Sequence, residues 1–93
     1  MPSYNIGAQI VDAAGVRGEL ERSLRNVAEE LGPDVFNVKA SGRDILVTAV
    51  FNLRSRRDAE ELQEAFKRRA GIPPDFEVIW SINDWPGGVA ASD

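Results

Sequence analysis

Residues 43–53, Arg-Asp-Ile-Leu-Val-Thr-Ala-Val-Phe-Asn-Leu, carry the clearest alternation in the chain. Ile45, Val47, Ala49, Phe51 and Leu53 are all apolar, whereas Asp44, Leu46, Thr48, Val50 and Asn52 mix polar with apolar. Successive side chains of a strand point to opposite faces of its sheet. The pattern therefore predicts a strand with one full core face and one mixed face, and the mixed face is the first lead to function.

The same periodicity runs through the rest of the chain. Residues 4–11 read as a strand with Tyr4, Ile6, Ala8 and Ile10 on one side. A turn at residues 12–15 leads into a helix whose Val16, Leu20, Leu24, Val27 and Leu31 recur at spacings of three and four. Gly32-Pro33 ends it, because glycine accepts the left-handed cap and proline cannot continue. Residues 34–40 read as a second strand, and Ser41-Gly42 joins it to the opening strand as a hairpin. Ser55 is placed to cap a second helix, with Asp58 three residues on. That helix turns Ala59, Leu62, Phe66 and Ala70 inward and stops at Gly71. Residues 76–83 read as the last strand, with Phe76, Val78, Trp80 and Ile82 on its core side.

The order β-α-β-β-α-β resembles the split βαβ, or ferredoxin-like, fold. That resemblance implies an α+β protein with two helices on one face of a four-stranded antiparallel sheet. Its first and third strands would be central. Residues 1–85 are read as one such domain and residues 86–93 as a flexible C-terminal tail. The fold itself hosts many unrelated activities, so function has to be argued from a site.

If the helices cover one face, the other is bare. Its predicted occupants include Asn5, Gly7, Gln9, Asn37, Lys39, Leu46, Thr48, Val50, Glu77, Ile79 and Ser81. Domains of this shape that bind RNA stack bases on aromatics at the central positions. Here those positions are Gly7, Gln9, Thr48 and Val50. The 93-residue chain also has 15 acidic against 11 basic side chains, a net charge of −4. Both facts argue against a nucleic-acid partner, whose binding is driven largely by phosphate neutralisation.

Composition removes further classes. The chain has neither Cys nor His. It thus lacks a thiol nucleophile, a disulfide framework, the commonest general base and the commonest metal ligand. No metal or other cofactor is expected. Nothing in the sequence is long and apolar enough to span a membrane, and no signal-peptide pattern is present, so a cytoplasmic protein with no membrane partner is expected.

Several smaller features compete with the open face. Arg54, Arg56 and Arg57 cluster where the second helix begins, a candidate anion-binding site. Asp44 and Asp84 are acids at strand ends, where Asp more often caps a turn than catalyses. Trp80 alternates into the core pattern. Trp85 lies beyond it, as edge packing or as an interface anchor. Glu29-Glu30 and Glu60-Glu61-Glu64 would imitate phosphates to a nucleic-acid-binding partner, although helix surfaces ordinarily carry such acids.

The reading that follows is a non-enzymatic protein-interaction module. Leu46, Thr48, Val50, Ile79 and Trp85 are its expected contact residues. Its partner would be another protein or a second copy. Two activities fit: inhibition of a larger complex, as small acidic phage-encoded proteins perform it, and regulation of an enzyme as an effector subunit. In size, net acidity and strand-helix order the chain is similar to effector proteins of diiron monooxygenases, a likeness that no motif carries. The alternative is a small-molecule enzyme or sensor built as a dimeric α+β barrel. It would have to rely on Tyr4, Asn5, Asn37 or Asn52.

Overall fold

The computed structural model describes residues 2–85, and the expected tail at residues 86–93 lies outside the described residues. Four strands and two helices follow in the order β1 (Ser3–Ile10), α1 (Arg17–Leu31), β2 (Val35–Ser41), β3 (Asp44–Asn52), α2 (Arg56–Arg69) and β4 (Val78–Asp84). The strands form one antiparallel sheet in the order β2-β3-β1-β4. The first and third strands are central.

Both helices bury their apolar stripes on the same side of this sheet. Leu20, Leu24 and Val27 of α1 and Phe66 of α2 join Ile6, Ile10, Ile45, Val47, Ala49 and Phe51 in one core. Trp80 borders it, edge-on to Phe66 with ring centroids 6.0 Å apart. The helices are also tied to each other. Ser23 Oγ donates to the carbonyl of Ala70 at 2.8 Å, and Arg69 pairs with Glu30.

The punctuation works as the residues suggest. Gly32 caps α1 in the left-handed region with φ 71°, and Ser55 Oγ accepts from the Asp58 N–H at the start of α2. In the β2–β3 hairpin Gly42 has φ 62° while Arg43 keeps a negative φ, the sign pattern of a type II′ turn.

Two boundaries differ from the periodic reading. A 3-10 turn at Ala14–Val16 precedes α1, so Val16 becomes the uncapped residue before the helix. Strand β4 starts at Val78, not at residue 76. Pro73 and Pro74 lack donors for a ladder, and the Phe76 N–H turns back to the Pro73 carbonyl. Phe76 still packs against the core, from a turn rather than a strand.

Candidate functional site: the open sheet face

Strand pairing lays the open face out in rows. One row runs Asn37, Thr48, Gly7, Ser81, and the next runs Lys39, Leu46, Gln9, Ile79. Gly7 therefore stands at the centre of the face with no side chain. A Cβ there would lie 3.1 Å from Ser81 Oγ and 3.5 Å from the Val47 carbonyl oxygen. The missing side chain leaves a hollow of about 250 Å³ walled by Asn5, Gln9, Leu46, Thr48, Ile79 and Ser81. Every wall residue is uncharged. Ile79 is 49 % exposed and is the one large hydrophobic group fully at the surface among the described residues. Leu46 and Thr48 are half-buried beside it.

The other end of this face is closed. Ser3 Oγ donates to Asn52 Oδ1, and Asn52 Nδ2 donates to Asp34 Oδ2. Asn5 Oδ1 accepts from the Ala49 N–H at 3.2 Å. Between Asn5 and Val35 sits Val50, which is 0 % exposed. The expectation that Val50 offers itself to a partner is therefore corrected. It points to the open side but is sealed by its neighbours. Trp85 borders this closed end, half-buried, with its N–H on the Ser3 carbonyl at 2.9 Å. The contact residues expected from the sequence thus fall into two groups: Leu46, Thr48 and Ile79 around the hollow, Val50 and Trp85 at the closed end.

Asp44 is a turn-holding residue. Its carboxylate accepts from the Asp12 N–H at 2.8 Å and from Gln9 Nε2 at 2.7 Å. The first bond fixes a turn in which Asp12 adopts φ 56°, a region that non-glycine residues enter rarely. The Asp12 N–H, and then Gln9, hold the Asp44 carboxyl below the ordinary value of 3.8. A pKa lower in the folded than in the unfolded chain stabilises the fold above about 3.8, and that contribution is lost as pH falls through the lowered value. Asp44→Asn is accordingly expected to be less stable than the parent at neutral pH, with the gap narrowing in acid. Urea midpoints across that range check it, and a constant gap would show that ionisation of Asp44 plays no part.

Asp84 sits at the opposite end of β1, opposite Tyr4, whereas Asp44 lies next to the Ile10 end. Six residues of strand separate those ends, about 20 Å, so the two acids cannot share a proton. The polar groups of the enzyme alternative do not converge either. Tyr4 is buried on the core side, Asn5 and Asn52 are engaged as above, and Asn37 is exposed on β2.

The arginine cluster at the start of α2 is partnered. Arg56 pairs with Glu60 at 4.0 Å and donates to the Ile82 carbonyl at 3.3 Å, and Arg57 pairs with Glu61 at 4.0 Å. Arg54 is exposed beside them. Of the acidic patches, Glu60, Glu61 and Glu64 each face a basic neighbour on α2, and Glu30 reaches Arg69. Among the described residues no group of three or more His, Cys, Asp or Glu is placed to hold a metal ion, and no helix is long and apolar enough to cross a membrane.

The hollow at Gly7 is the feature that periodicity missed. Alternation put Gly7 on the open face, but only the pairing of β1 between Thr48 and Ser81 shows that its empty place is central. A glycine inside a strand marks close approach or a gap, and that signal was in the sequence. No family model, curated protein or solved structure matches the chain.

Proposed function

We propose that the protein is a non-enzymatic interaction module that docks another protein surface on the half-open sheet face around Gly7. Inhibition or regulation of a larger assembly is the role such a surface would serve. The observation that supports this is the uncharged, half-apolar surface formed by Leu46, Thr48 and Ile79 around a central hollow. Burying Leu46 and Ile79 there contributes on the order of 3 kcal/mol of gross driving force. The hollow adds shape, a place for one protruding side chain.

Leu46→Asp and Ile79→Asp test the reading. Each puts a carboxylate at the rim of the hollow, where the folded chain can hydrate it. Both variants are expected to melt within a few degrees of the parent and to lose partner capture from the source cells or their host. Undiminished capture by both, with the fold intact, overturns the open-face reading.

A further inference from the structure

We propose that the partner segment seated on this face is a basic one, an extended stretch of another protein that sets an arginine or lysine between Asp44 and Glu77. This rests on the open face being the working surface. Charge carries it. The acids of the helices are largely paired within the chain: Glu21, Glu30, Glu60, Glu61 and Glu64 each meet a basic side chain. Asp44 and Glu77 have no such partner among the described residues. The turns at their end of the sheet add exposed Asp12 and Asp75, against Arg43 in the hairpin turn and Lys39 one row further in. Acids therefore outnumber cations at this end, on a chain whose net charge is −4. A second copy would bring these acids against their own kind, whereas a basic segment meets an attractive field.

Asp44 and Glu77 flank Val11 in one row. Ile10 pairs with Ile45, which puts Asp44 level with Val11 on one side, and the Val11 N–H donates to the Glu77 carbonyl at 2.9 Å on the other. Two strand spacings, about 10 Å, separate the two acids. A guanidinium or ammonium group centred over Val11 lies within reach of both carboxylates, with half-buried Val11 beneath its methylene stem. Asp44 is already held by the Asp12 N–H and Gln9, one bond to each oxygen. Each oxygen keeps a second acceptor direction, and binding has little left to order there. The Gly7 row lies four residues from the Val11 row, about 13 Å along the strands. In an extended segment, side chains i, i+2 and i+4 share one side. A small uncharged residue over Gly7 and an apolar one between Leu46 and Ile79 thus bring a cation at i+4 to Val11. Lys39 stands on β2 in the middle row, opposite Leu46, and steers the segment toward β1 and β4.

A random dodecapeptide library displayed on phage, selected on the intact chain in low salt, tests this. Selected peptides are expected to carry Arg or Lys two residues from an apolar residue. Synthesised, the strongest should bind Glu77→Lys about tenfold less well than the parent, and should weaken several-fold between about 0.05 and 0.3 M salt. With its cation exchanged for Glu, the same peptide should prefer Glu77→Lys to the parent, a reversal that no loss of folding can imitate. A selection that yields no binder, binders without a cation, or binders indifferent to Glu77→Lys overturns the proposal. Binders without a cation that are lost on Ile79→Asp remove only the basic partner and leave the open-face reading standing. Binders of either kind that keep their affinity for Ile79→Asp bring down both. A parent dimer in sedimentation that Ile79→Asp dissolves would assign the face to a second copy instead.

Discussion

Phe66→Ala is expected to lower the melting temperature by about 15 °C or more. Phe66 is the largest fully buried side chain and 1 % exposed. It joins α2 to the sheet and meets Trp80 edge-on. Truncation removes the transfer free energy of the ring and leaves a cavity. Neighbours such as Ala70, already 0 % exposed, cannot fill it. Together these cost about 3–5 kcal/mol. A domain of this size has roughly 5–14 kcal/mol in total, so a large share of its stability goes. Thermal melts followed by circular dichroism measure the change. A drop of less than about 5 °C would mean that Phe66 is not central to the core.

Val50→Asp and Ile79→Asp make the second large prediction, as a contrast. By alternation the two positions are equivalent, since both point to the side of the sheet away from the helices. In the structure Val50 is sealed and Ile79 is 49 % exposed. A carboxylate at Val50 would be desolvated between Asn5 and Val35, with no cationic partner in its row. Its burden is several kcal/mol, relieved only in part by protonation. Val50→Asp should therefore be largely unfolded at neutral pH and should recover some structure in mild acid. Ile79→Asp should fold like the parent at both. Equal stability of the two variants would show that Val50 is not sealed from solvent.

The contrast also marks what can be read from a sequence of this kind. The period-two and period-three-to-four patterns report which side of an element is apolar, and the structure bears this out for β1, β3, α1 and α2. Chain stops were legible where the backbone itself demands a residue type, as at Gly32, Gly42 and Ser55. Exposure on the open face was not legible. It depends on which segments, distant in sequence, the fold brings beside a residue. Ser3, Asp34 and Asn52 come from three parts of the chain and meet only in the folded sheet. The same holds for Asp44, whose partners Gln9 and Asp12 lie on another strand and its turn. Nor does a glycine show in a periodic pattern as a hollow, because it contributes no side chain to either face.

Strand β1 lies between β3 and β4, and its Ser3 carbonyl is bonded by the Trp85 N–H. On a translating ribosome β1 emerges first of the strands and β4 last. One whole flank of β1 therefore waits without a partner while α1, β2, β3 and α2 are made. Until β4 arrives, the half-built sheet offers an unpaired central strand to neighbouring nascent chains, the situation in which strands pair wrongly. The chain's most exposed moment thus falls during its own synthesis. Slow decoding between β3 and β4 would lengthen it.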